Sequence, residues 1–198
     1  EATQKEIIER LGRALEHESN GSNNLKRMVE MAQLLARKAG LDELTIHELG
    51  LAMPLDDIGT SIVPKSILQK TSPLSEEEIF KIRQHAEFGY QILRDSRRPT
   101  IQLAAMLAKQ HHERWDGKGY PEGLEKEQID IKSRIATLVD VFDALLNARP
   151  YKPAWTIDKV EAVLLEEKGK HFDPYLVDCL LSDLSAFMAI QTEYADEK

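Results

Sequence analysis

The stretch HHERWDGKGYP, residues 111–121, decides how this chain is read. The segment before it, TIQLAAMLAKQ, carries apolar residues at helical spacing, so a helix is expected from a Thr100 cap to about His112. Gly117, Gly119, Pro121 and Gly123 then require a loop. Neighbouring residues of a regular helix diverge by about 100°, so His111 and His112 reach one centre only where the helix is ending. The glycines put that ending immediately after them. An adjacent His pair can also be a solvated helix end that binds nothing, and the spacing alone leaves both readings open.

Working outward, helical periodicity dominates and no run alternates like a strand, so the fold class is all-α. Toward the N-terminus, Ser75 and Glu78 form a capping-box signature opening a helix to about Leu93 that carries His85. A helix from about 43 to 53 meets Pro54, which removes a backbone donor and places Asp56 and Asp57 at an irregular junction. A further helix is expected from about 25 to 39, ended by Gly40. Toward the C-terminus, a helix from about 132 to 147 carries Asp140 and Asp143, and Thr156 can cap another. Asp173 and Pro174 read as cap and first-turn residue of the last helix. Ile7, Ile8, Leu11 and Leu15 line one stripe of the opening segment, which starts inside a helical pattern. Residues 1–22 are therefore expected to continue a helix from something upstream, with 23–198 as the main domain. An ordinary surface helix packed on its own domain fits that stripe equally well.

The 198 residues are 42% apolar and 30% charged, a globular balance. No apolar run approaches the ~18–20 residues of a membrane span. Cys179 stands alone, which excludes a disulfide framework and a thiolate zinc site. A formal charge of −8 argues against a broad surface for a nucleic-acid polymer. An anionic ligand would need a local cation cluster or a metal.

Asp57, His85, His111, His112 and Asp140 supply imidazole and carboxylate donors at helix ends or on helix faces. Such a mixed set suits iron, manganese or zinc, whereas calcium and magnesium prefer oxygen alone.

The stretch 111–121 closely resembles the signature of the HD-GYP family, a subgroup of the HD phosphohydrolases. Further pieces follow in that family's order: LDDIGTSIVPKSILQK (55–70), IRQHAEFGYQIL (82–93), RIATLVDVFDALLNARPYK (134–152) and GKHFDP (169–174). The resemblance covers about 25–175, and the opening segment looks like the helix that joins a receiver or sensor domain to such a module. It implies a helical bundle around a metal centre, in a bacterial cytoplasmic signalling protein that binds cyclic di-GMP. Active members hydrolyse cyclic di-GMP to pGpG, and some continue to GMP. Carried over by position, Asp57 would be the catalytic aspartate bridging two ions, iron or manganese. His85, His111 and His112 would bind one ion and Asp140 the other. Tyr120, Arg149 and Lys152 would contact the ligand. Signalling partners through the GYP loop, and a homodimer through the N-terminal helix, are further expectations.

The chain also departs from the family pattern. The His-Asp pair reads Asp56-Asp57, and Asp56 can still ligate through its carboxylate. The lysine that usually follows is Thr60, which removes a cation expected to stabilise phosphate charge. Asn20 and Asn24 stand where members with a third metal carry Glu and His. These changes leave two readings: a weak two-metal phosphodiesterase that stops at pGpG, or an inactive module that binds cyclic di-GMP or a partner. A nucleotidase for another phosphate ester is disfavoured by the complete GYP loop.

Overall fold

The computed structural model describes residues 23–147 and 154–195, together with Glu6 and Ile8. Among these the architecture is a bundle of α-helices, with isolated bridges at Asp116–Glu125 and Lys168–Phe172 in place of a sheet. Helix α1 (Asn24–Lys38) buries Met31, Ala32, Leu35 and Ala36 as one stripe. Gly40, at φ +83°, ends it in a conformation that costs a β-carbon-bearing residue more than glycine. Helix α2 (Glu43–Ala52) starts at Asp42, whose carboxylate accepts the Thr45 amide.

At Pro54 the chain tightens into a 3-10 turn, Met53–Leu55, with all three residues buried. A second 3-10 turn, Ile58–Ile62, follows Asp57, and then the short α3 (Lys65–Leu68). Helix α4 (Glu76–Leu93) opens with the reciprocal Ser75–Glu78 capping box.

Helix α5 (Pro99–Gln110) corrects one expectation. Its N-cap is Arg98, and Thr100 lies inside the first turn, because Pro99 takes the N1 position that needs no donor. Helix α6 (Ile131–Leu146), capped by Asp130, is the central element and buries Ile135, Leu138, Val139 and Phe142. Thr156 does occupy the N-cap of α7 (Ile157–Glu167), although its side chain makes no capping bond. Asp173 and Pro174 open α8 (Pro174–Leu181) as expected, with the Asp173 carboxylate accepting the Tyr175 amide.

That helix is not the last. The chain breaks at Ser182–Asp183 and resumes as α9 (Leu184–Glu193), and Asp183 at the break pairs with Lys38 at 2.6 Å. Phe187 of α9 meets Phe142 edge-on, with centroids 6.1 Å apart, and seals the core. Of the expected N-terminal helix, only Glu6 and a buried Ile8 are described, and the rest of 1–22 lies outside the described residues. No helix among the described residues is long and apolar enough to cross a membrane.

A buried ion pair ties the ends of the bundle together. Arg27 of α1 pairs through two nitrogens with Asp143 of α6, and donates to the Tyr194 carbonyl (2.9 Å) and to Asn24 Oδ1 (3.2 Å). Asp143 sits one helical turn beyond Asp140.

Candidate metal centre

Three elements converge because small residues let them. A β-carbon on Gly59 would lie 1.9 Å from the His85 carbonyl oxygen and 2.6 Å from the Gly89 amide nitrogen. One on Gly89 would sit 3.0 Å from Ala108 Cβ. Glycine at both positions therefore presses the turn that follows Asp57 onto α4, and α4 onto α5. Gly89 follows His85 by one helical turn, so the face that bears the histidine is the face in closest contact.

This packing gathers Asp57, His85, His111 and His112, whose ligand atoms all lie within 4.8 Å of one another. His85 Nε2 is 3.2 Å from His111 Nε2, and Asp57 Oδ1 is 3.5 Å from the former and 3.4 Å from the latter. On their far sides, His85 Nδ1 lies 2.5 Å from the Ile82 carbonyl and His111 Nδ1 3.0 Å from the Leu107 carbonyl. Carbonyls only accept, so both Nδ1 atoms carry protons and both Nε2 lone pairs turn inward. That second-sphere arrangement is the one that orients imidazoles toward a metal. Three lone-pair atoms in mutual contact require a cation or a proton between them. The residues fit a transition-metal ion.

Electrostatics agree with that fit. Burial opposes protonation of His111, but the hydrogen bond and charge of Asp57, with the charge of Asp56, outweigh it and raise its pKa to about 9. Burial, reinforced by the His111 and His85 charges, lowers His112 to about 2. Burial and His111 likewise lower His85. Burial would raise Asp57, yet its hydrogen bond to His111 and the three imidazoles hold it well below the ordinary carboxylate range. The donor set thus retains one proton, on His111, where a metal ion would displace it.

The remaining expected residues are placed as follows. Asp56 lies outside the group of four; burial and the adjacent Asp57 charge push its pKa up to about 7. Asp140 also lies outside that group, but its charge raises the pKa values of both Asp56 and Tyr120. The Tyr120 ring stacks on His112, with centroids 4.8 Å apart and planes at 19°. Burial pushes its hydroxyl to about 12, so it stays a neutral donor. Asn24 is a partner of Arg27, in the buried ion-pair network. Arg149, Lys152 and Asn20 lie outside the described residues.

Helix α5 ends at Gln110, with His111 as its C-cap, which lets two consecutive histidines face one centre. Thr137 Oγ1 donates to the His111 carbonyl at 2.8 Å and ties α6 to that junction. The loop then folds back on itself. Tyr120 N donates to the His112 carbonyl at 3.2 Å, and a β-carbon on Gly119 would lie 2.4 Å from Arg114 N. The Tyr120–Pro121 bond is cis.

Sequence reading missed Glu113. Its buried carboxylate accepts the amides of Glu122 (2.8 Å) and Leu124 (3.0 Å), and so closes the loop that presents Tyr120. The GKHFDP segment (169–174) also has a part. The Trp115 and Asp116 amides donate to the His171 and Lys170 carbonyls at 3.1 and 2.8 Å.

A helical bundle with an imidazole–carboxylate cluster beside a closed glycine loop defines a metal-binding helical domain. A family model described as the HD domain matches residues 9–176, and the chain belongs to that family. It is 43% identical over 182 residues to the cyclic di-GMP phosphodiesterase response regulator RpfG of Xanthomonas campestris pv. campestris, covering 91% of this chain and 48% of that one. It is 38% identical over 195 residues to the 3'3'-cGAMP-specific phosphodiesterase 2 of Vibrio cholerae, covering 98% of this chain and 37% of the relative. The chain therefore spans half or less of the length of these relatives. A crystal structure of a cyclic GMP-AMP-specific phosphodiesterase of V. cholerae superposes with a TM-score of 0.69 at 21% identity, over 93% of this chain and 50% of that one. That likeness shows the fold alone.

Proposed function

We propose that this chain is a metal-dependent phosphodiesterase domain that hydrolyses cyclic di-GMP to pGpG. The observation that carries the reading is the inward-facing Nε2 pair with Asp57, fixed by backbone acceptors and set beside the loop that presents Tyr120. Names of relatives that act on cyclic dinucleotides support it. His85, His111, His112 and Asp57 would hold one ion, and Asp57 with Asp140 a second, iron or manganese as the family resemblance implies; Asp56 is a further candidate ligand. Ions held there supply Lewis-acid polarisation of a phosphate oxygen and a water of lowered pKa.

The chain's own residues orient the ligand. Tyr120 offers a neutral hydroxyl donor against the phosphate, and Arg149 and Lys152 add charge-assisted contacts. Asp57 keeps its negative charge across the physiological range. Turnover is slow, because Thr60 brings no cation to the phosphate, and it stops at pGpG. In the whole protein the domain works in the cytoplasm, with signalling partners at the GYP loop and pairing of two copies through the N-terminal helix.

One observation favours the second reading, a module that binds cyclic di-GMP without turnover. The Thr60 hydroxyl donates to the Asp57 carbonyl at 2.8 Å and is spent on the backbone. The deciding experiment is chromatography of products from cyclic di-GMP incubated with iron- or manganese-loaded protein. Accumulating pGpG without GMP is expected. No product from fully loaded protein that still binds the nucleotide would select the second reading.

A further inference from the structure

A cation beside the site has no role in the account so far. Arg83 precedes His85 by two positions on α4, and its guanidinium carbon lies 5.0 Å from the centroid of the Tyr120 ring. Tyr120 in turn stacks on His112. The guanidinium is thus two ring contacts from the imidazole cluster, on the side where the GYP loop closes over it.

Four other arginines among the described residues are held in ion pairs away from the centre. Arg27 pairs with Asp143, Arg37 with Glu43, Arg114 with Asp116 and Glu167, and Arg134 with Asp173. Arg83 is exposed and makes neither hydrogen bond nor ion pair among the described residues. A guanidinium held over an aromatic face keeps its planar fork of N–H donors free, and that fork matches the oxygens of a phosphate. The surroundings need such a group. Asp56, Asp57 and Asp140 crowd the centre with carboxylates, the whole chain carries −8, and position 60 offers a hydroxyl already bonded to Asp57.

We propose that Arg83 is a further phosphate-binding cation of this site, gripping non-bridging oxygens of the ligand's phosphodiester and offsetting in part the cation missing at position 60. The inference rests on the phosphodiesterase reading for the identity of the ligand, but not for the phosphate chemistry. Arg83 binds and positions; Tyr120 holds its guanidinium in place.

Calorimetry on metal-loaded wild type, Arg83→Gln and Arg83→Lys tests this with two probes, cyclic di-GMP and inorganic phosphate. Metal content should be the same in all three, and the melting temperature should fall only slightly in Arg83→Gln, which loses one exposed cation–π contact with Tyr120. Arg83→Gln should weaken both probes by about 10- to 100-fold, the range for losing a charge-assisted hydrogen bond. Arg83→Lys should retain part of the affinity, because charge survives while the fork does not. Unchanged affinity for both probes in Arg83→Gln would overturn the inference and leave the phosphodiesterase reading intact. Arg83-dependent binding of phosphate with no binding of cyclic di-GMP would uphold it and overturn the choice of ligand. Binding of neither probe by loaded wild type would overturn both.

Discussion

Replacing Gly59 with alanine should empty the metal centre without touching a ligand. The added β-carbon would fall 1.9 Å from the His85 carbonyl oxygen and 2.6 Å from the Gly89 amide nitrogen. Both are helix backbone, so neither can swing aside as a side chain would. Restoring an ordinary contact of 3.4 Å requires about 1.5 Å of movement between the turn after Asp57 and α4. Metal sites tolerate roughly 0.2 Å in ligand distance, so Asp57 and His85 could no longer serve one ion. Overpacking of this kind costs about 1–3 kcal/mol, and in a chain of this size each kcal/mol lowers Tm by about 2–4 °C. A fall of about 2–12 °C in the metal-free protein is therefore expected, with metal content near zero after reconstitution. Gly50→Ala is the control, since the three atoms nearest its β-carbon all belong to the flexible Gln33 side chain. Elemental analysis showing wild-type metal content in Gly59→Ala would refute the claim that this close approach assembles the site.

Three further outcomes follow from named contacts. Arg27→Met strands the Asp143 carboxylate, 4% exposed, and should cost about 3–5 kcal/mol in chemical denaturation. Arg27→Met with Asp143→Leu should recover most of that loss; no recovery would mean the pair is not the source. Arg149→Ala and Lys152→Ala should each weaken cyclic di-GMP by about 1.5–3 kcal/mol in calorimetry on loaded protein, and unchanged binding would remove them from the ligand site. Asp56→His and Thr60→Lys should raise turnover, the double variant more than either alone, and rapid conversion to GMP by wild type would contradict the meaning given to both positions.

The parts of this fold that the sequence disclosed are those with local causes. The Ser75–Glu78 box, Gly40 and the Asp173–Pro174 start act within four residues, and the glycines after His112 mark where α5 must stop. The five candidate donors were visible by residue type, yet only four of them share one centre, and the cause is not local. Gly59, Gly89 and Ala108 lie far apart in sequence and meet only after folding. Glu113 looks like a solvated loop acid until the Glu122 and Leu124 amides are seen to converge on it. The Lys38–Asp183 pair at the break before α9 likewise joins residues far apart in sequence. Thr100 was an available capping residue displaced by Pro99, a competition between two local signals that periodicity could not settle.

The central claim is that the cluster of three histidines and Asp57 is a metal centre. The measurement that tests it most directly is the metal stoichiometry of anaerobically purified protein reconstituted with iron or manganese, taken beside His111→Ala and Asp56→Ala. The account predicts at least one and up to two tightly held ions per chain in the wild type. It predicts a severe loss in His111→Ala, whose Nε2 faces the donors directly, and a smaller one in Asp56→Ala, outside the group of four. Wild-type protein that retains no metal after reconstitution would contradict it.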